Sequence, residues 1–281
     1  SNIKTTLLKI RALRASLVEN LWKAFAITPI TQPDVATLLG TLSGITAKHQ
    51  ELDRETAISS LEFIDETLRA SVDASVGISS SSMASAASIL SSLIMVQSVF
   101  NTSDAQSISI ANNVTTVLRL VSNLQLENMI AGGYDSMSGG LIEMVSSRLA
   151  VSSFDELSSV SLGSIDDSST TAAFFNTSLA DFLASIEATH AIAAKHLSTD
   201  GASIDVKLAT VGKNIYSHSF KGSAGTVTAR NSNGGIGSPG EDQTQKVRSK
   251  LTMVEVSLLG QISPLNIAEL PKSRPIRINM A

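Results

Sequence analysis

The residues able to do chemistry are few, and their spacing suits little of it. The histidines are His49, His190, His196 and His218. His190 and His196 stand six positions apart, which places them on different sides of a helix, and neither has a carboxylate at the spacing of an H-E-x-x-H metal site. Solvated or capping histidines are expected, and no metal site. The chain has no cysteine, which removes thiol catalysis and thiolate metal centres. Gly235-Ile236-Gly237-Ser238-Pro239-Gly240 matches G-x-G-x-x-G on paper, but that fingerprint needs a strand before it and a helix opening on it. Here it sits in a Gly/Ser tract with a proline inside. Asp166 and Asp167 are adjacent in a polar stretch that suits a solvated turn better than catalysis or calcium. No catalytic residue, cofactor site or enzymatic activity is expected.

What remains is modification chemistry. Three N-x-[ST] sequons occur, at Asn101, Asn113 and Asn176, and these are the candidate glycosylation sites. With 13 asparagines and 67 Ser or Thr among 281 residues, about three such matches arise by chance, so the number alone decides nothing. Asn101 follows Phe100 between two helical segments, where a glycan would project without unravelling a helix. Ser and Thr richness of this degree is common in extracellular and surface proteins.

Composition narrows the partners. Net charge is −4 from 21 basic and 25 acidic residues, without a long basic block, so neither nucleic acid nor a polybasic membrane contact is expected. A 43% hydrophobic content in 281 residues is enough for one sizeable core or two smaller ones. The richest apolar segment, residues 89–100, is interrupted by Ser91, Ser92, Gln97 and Ser98, so no membrane span is expected. No signal peptide is visible, as for a cytosolic protein or a mature piece of a longer one.

The elements that must carry these residues change character along the chain. Apolar residues recur at helical spacing through Leu7, Ile10, Leu13, Leu17, Leu21 and Phe25, then Val35, Leu38, Leu42 and Ile45, then Ile58, Leu61, Ile64, Leu68 and Val72. Thr31 and Asp53 suit N-caps, Pro33 a first turn and Gly44 an exit. A serine-rich joint over 75–82 leads to a fourth period with Met83, Ala87, Leu90 and Ile94 inward, with Val96 and Phe100 to follow. A fifth carries Ile110, Val114, Val117, Leu118, Val121 and Leu124. After Gly132-Gly133 and Gly139-Gly140 a strand is expected over 141–151, a loop over 152–171 and a helix over 174–197. Ile204, Val206 and Leu208 alternate with Asp205 and Lys207, the period-two pattern of a half-buried strand. Residues 221–250 read as a long flexible loop. Strands follow at 251–259 and 275–280. Helices first and strands last predict an α+β fold. It divides into a helical bundle subdomain of about five helices over 1–135 and an antiparallel β-sandwich-like subdomain, mixed and then mainly β, over 136–281.

Several stretches then resemble a known family. Residues 11–21, Arg-Ala-Leu-Arg-Ala-Ser-Leu-Val-Glu-Asn-Leu, with Thr28-Pro29 and residues 35–46, Val-Ala-Thr-Leu-Leu-Gly-Thr-Leu-Ser-Gly-Ile-Thr, are similar to the helical part of the receptor-for-egg-jelly (REJ) region and GAIN domain of polycystin-1-like proteins. Ile204-Asp205-Val206-Lys207-Leu208 followed by Asn214-Ile215-Tyr216 resembles that family's strand running into an Asn-Pro-aromatic, with Ile215 in place of the proline. Residues 254–260, Val-Glu-Val-Ser-Leu-Leu-Gly, through Leu265-Asn266 to Arg274-Pro275-Ile276-Arg277-Ile278, resemble its late hairpin. His196-Leu197-Ser198 imitates the family's cleavage tripeptide but precedes the β region and lacks flanking Cys and Trp. The resemblance implies a non-enzymatic extracellular structural or adhesion module of a cell-surface protein, without cofactor and with N-glycans, whose partners are other protein chains or itself. The alternative is a self-assembling subunit of an extracellular filament or surface coat.

Overall fold

The computed structural model describes residues 2–96, 105–127, 129–150, 158–161, 172–175, 203–212, 215, 251–258 and 276–279. Among these, five helices come first: α1 (Asn2–Phe25), α2 (Gln32–Thr46), α3 (Arg54–Asp73), α4 (Ser80–Met95) and α5 (Ala105–Glu127), with a 3-10 turn at His49–Glu51 before α3. Seven strands follow: β1 (Tyr134–Gly139), β2 (Ile142–Ala150), β3 (Ser158–Ser161), β4 (Ala172–Phe175), β5 (Ser203–Val211), β6 (Leu251–Leu258) and β7 (Ile276–Asn279). The fold is α+β, a helical subdomain followed by antiparallel sheet. Among the described residues no helix is long and apolar enough to cross a membrane.

Local chemistry sets the helix starts. The Thr31 hydroxyl accepts from the Asp34 amide at 3.4 Å, the Asp53 carboxylate from the Thr56 amide at 2.8 Å, and the Ser79 hydroxyl from the Ser82 amide at 3.2 Å, so α2, α3 and α4 each open on a side-chain cap. Pro33 lies in the first turn of α2, where its missing N–H costs nothing. Gly44 does not end α2, which runs on to Thr46; the exit expected there is overridden by burial of Ile45 and Thr46.

Packing corrects the first stripe. Val18 and Leu21 of α1 are buried, whereas Leu13 and Leu17, expected inward, are 60% and 42% exposed. The face that turns inward instead carries Arg14, whose guanidinium Nε donates to Glu51 at 2.9 Å and whose Nη1 donates to the Ile45 carbonyl at the end of α2. An ion pair on the 3-10 turn thus fixes the rotation of α1. Trp22, Phe25 and Phe63 then meet edge to face, with centroids 5.0 to 6.0 Å apart, and the indole N–H donates to Ser59 at 3.1 Å. The α5 stripe through Ile110, Val114, Val117, Leu118, Val121 and Leu124 is buried throughout, as its spacing predicts.

The main sheet has the order β1-β2-β5-β6, all antiparallel, and a second sheet has the order β3-β4-β7. The strand expected over 141–151 is β2. Ser158–Ser161, expected as loop, form β3, and Phe174-Phe175, expected to open a helix, lie in β4, where Phe174 pairs with Arg277 of β7. Their backbone bonds are satisfied across the sheet, which local helical spacing cannot anticipate. The loop read over 221–250 lies outside the described residues, as does nearly all of the helix read over 174–197.

β5 departs most from expectation. It is buried along its whole length, on both faces, and is not half-buried. One face of the sheet contributes Ile142, Met144, Ala209 and Val211 to the helical core. The other buries Val145, Ile204, Val206, Leu208 and Val256, which lie outside that core. β2 and β5 touch α5 and also β3 of the second sheet, so they are the middle layer.

Candidate functional site

Successive side chains of a strand point to opposite faces, so the helix-facing side of the main sheet can be written out. Ile142, Met144, Ser146 and Arg148 of β2 run beside Val211, Ala209, Lys207 and Asp205 of β5, and these beside Met253, Glu255 and Ser257 of β6. Half of this face is apolar. The other half holds four charges under α5.

Arg148 and Asp205 are direct cross-strand partners and form a bidentate pair, Nε to Oδ1 at 2.7 Å and Nη2 to Oδ2 at 3.0 Å, with side chains 8% and 4% exposed. The remaining guanidinium nitrogen donates to the Met129 carbonyl, and the Arg148 backbone exchanges hydrogen bonds with Gly132 and Gly133. Gly132 has φ +82°, which lets the chain leaving α5 turn back along β2. Beside this pair Ser146 donates to Gln125 of α5 at 2.8 Å, and Gln125 donates to Asp135 of β1 at 3.4 Å.

Lys207 is 0% exposed. Its ammonium donates to the side-chain Oδ1 of Asn123 on α5 and lies 4.0 Å from Glu255 Oε2. Glu255 is held by Arg119 of α5, Nε to Oε1 at 2.7 Å and Nη2 to Oε1 at 2.6 Å. Burial pushes the Lys207 ammonium below its ordinary pKa, against the attraction of Glu255 and Asp205 and with the repulsion of Arg119. An amine of lowered pKa is a potential nucleophile, but this one is sealed by α5, and a nucleophile must reach its substrate. A buried ion pair is weak evidence for stability, since desolvation consumes most of the Coulombic gain. Here the charges set geometry: Arg119, Asn123 and Gln125, spaced along α5, fix its crossing over β6, β5 and β2.

The sequence-predicted residues lie elsewhere. Asn113 is exposed on α5, with the Thr115 hydroxyl donating to the Asn112 carbonyl at 2.8 Å. It is separated in sequence from the ionic residues of the same helix by more than a turn. Asn101 and Asn176 lie outside the described residues, as do His190, His196, His218, Asp166, Asp167 and the 235–240 glycine run. His49 is half-buried in the 3-10 turn. Among the described residues no three His, Asp or Glu side chains are placed to hold a metal ion. The ionic cluster was missed because alternation assigns Asp205 and Lys207 to solvent. The available signal was opposite charge inside three strands of mainly small and apolar residues, Arg148 in one, Asp205 and Lys207 in the next, and Glu255 in the last.

Comparison with known proteins adds a distant likeness. No family model matches the chain, and no curated protein matches it. Among solved structures it is similar to the full extracellular region of zebrafish Gpr126/Adgrg6, at 10% sequence identity and a TM-score of 0.43, over 66% of this chain. The chain covers 23% of that structure's chain, less than a quarter of its length.

Proposed function

We propose that this chain is a non-enzymatic extracellular module of a polycystin/REJ-like, GAIN-like cell-surface protein, serving in structure or adhesion by presenting surface or transmitting force. The observation that carries the reading is the order and joining of its parts. A helical subdomain precedes antiparallel sheet, as the resemblance of residues 11–21, 35–46, 204–208 and 254–278 implies, and α5 ties the two through side chains of three strands. A module that bears load between its ends needs such cross-ties, because force then passes through packed layers and not through a linker. Among the described residues, buried charged side chains of the sheet face α5 and bond to it. Its partners are other protein chains or a second copy, and its modification is N-glycosylation at Asn113, Asn101 and Asn176.

The test is mass spectrometry of native material together with fractionation. A glycan on at least one of these asparagines, with the protein at the cell surface or outside the cell, is the expected result. Three unmodified asparagines in a cytosolic protein would overturn the reading.

A second reading, a self-assembling subunit of an extracellular filament or coat, is favoured by one observation. Ile3, Leu8, Leu13 and Leu17 of α1 are all exposed, from 42% to 85%, so the helix presents apolar side chains outward. Sedimentation that becomes heavier with concentration, and returns to monomer on Leu13→Asp, supports this reading; a monomer at every concentration removes it.

A further inference from the structure

The helical layer is fastened to the sheet by two unlike contacts. At the β1–β2 turn the fastening is apolar and close: a Cβ on Gly139 would stand 2.7 Å from Ala87 Cβ, and the Leu141 amide donates to Ser91 of α4 at 2.7 Å. At the β6 side the fastening is ionic and incompletely bonded. Among the described residues, Glu255 Oε2, Asn123 Nδ2 and Ser257 Oγ are buried without a hydrogen-bond partner, and the Lys207 ammonium meets Glu255 Oε2 only at 4.0 Å. Each such group has given up water without full replacement. β6 is also an edge strand of the described sheet, bonded to β5 on one side. Movement there disturbs one ladder and not two.

We propose that the α5–β6 corner is a built-in opening, in which β6 parts from α5 at the Arg119–Glu255 contact and admits water to Lys207, Glu255 and Ser257 while the α4–hairpin end stays closed. Opening parts the Arg119–Glu255 ion pair and rehydrates these three buried polar atoms and a buried ammonium, whereas opening at the other end would expose Ile142, Met144 and Val211. The drop in Lys207 pKa caused by burial agrees with an ammonium that gains by hydration. Openings below the global unfolding energy are drawn from regions of this kind, rich in polar contacts and poor in apolar ones. The inference concerns the isolated chain and stands whether or not the chain works outside the cell.

The experiment is reductive methylation of the whole native protein with formaldehyde and borohydride, followed residue by residue by mass spectrometry. Lys48, 69% exposed at its side chain, is the internal reference. Lys207 is expected to be modified at least tenfold faster than global unfolding allows, at a rate insensitive to low urea. Arg119→Met is expected to raise that rate a further tenfold while leaving Lys48 unchanged. Modification of Lys207 only as fast as the protein unfolds, rising with urea along the global slope, would overturn the proposal. If Arg119→Met does not fold, the urea series on the unaltered protein decides by itself.

Discussion

Lys207 is an ionisable group in a fully buried position, and its titration therefore reports on folding. Its pKa in the folded chain lies below the ordinary 10.5, because burial penalises the ammonium more than Glu255 and Asp205 relieve it. Between the folded value and 10.5 the unfolded chain binds the extra proton, so stability rises with pH across that window. The slope has a ceiling of about 1.4 kcal/mol per pH unit for a single group. Urea midpoints measured as pH approaches 10.5 from below should contain this rise, and Lys207→Met should lack it. Glu51 gives a slope of the same sign, in an acid window. The hydrogen bond from Arg14 first, then the charges of Arg14 and Lys48, hold its carboxyl below the usual value, so its contribution is complete above pH 4.5 and fades as pH falls through the folded pKa. Arg14→Ala should bring the loss of helical circular dichroism on acid titration to a higher pH. Neither residue was legible from sequence. Helical spacing selects apolar residues for the inner face, and Arg14 holds an inner position because the 3-10 turn offers Glu51. Strand alternation likewise sends Lys207 to solvent unless a helix covers the face.

Elements were read well wherever one face alone is buried. α3 shows its stripe and its cap because its buried side chains fall on one side, whereas β5 has partners on both faces and so defeats a period-two reading. β3 and β4 are four residues each, too short for any period to register. The contact between α4 and the hairpin was hidden for a different reason, since a glycine announces a turn but not what approaches it. Gly140, at φ +61°, makes the turn; Gly139 makes room, since a Cβ there would also lie 2.9 Å from the backbone of Ala87 and Ser88. Gly139→Ala should therefore force the hairpin away from α4 and lower stability by about 1–3 kcal/mol, read as a fall in urea midpoint at constant slope. Gly40 and Gly44 of α2 provide the contrast. A Cβ at either meets nothing within 4 Å and both are helical and exposed, so Gly40→Ala and Gly44→Ala should each add about 0.5–1 kcal/mol.

At the scale of the whole molecule, two apolar cores share the same strands. Met144 of β2 enters the helical core while Val145, its neighbour, enters the core on the far face, and Ala209 and Leu208 of β5 divide in the same way. A strand cannot leave one core without leaving the other, so the helical subdomain and the main sheet should unfold as one unit although the sequence presents them as two compositional halves. The sole tryptophan makes this measurable, because Trp22, partly buried, packs edge to face against Phe25 and Phe63 in the helical half and reports nothing directly about the far face of the sheet. Leu208→Ala removes a fully buried side chain from that far face and should cost about 2–5 kcal/mol. If the cores are coupled through β2 and β5, the loss appears as an earlier Trp22 fluorescence transition, coincident with the far-ultraviolet transition. Leu39→Ala in α2 should move both probes in the same way. A Trp22 transition that stays in place while the sheet signal melts early would mean that the helical half folds without the sheet.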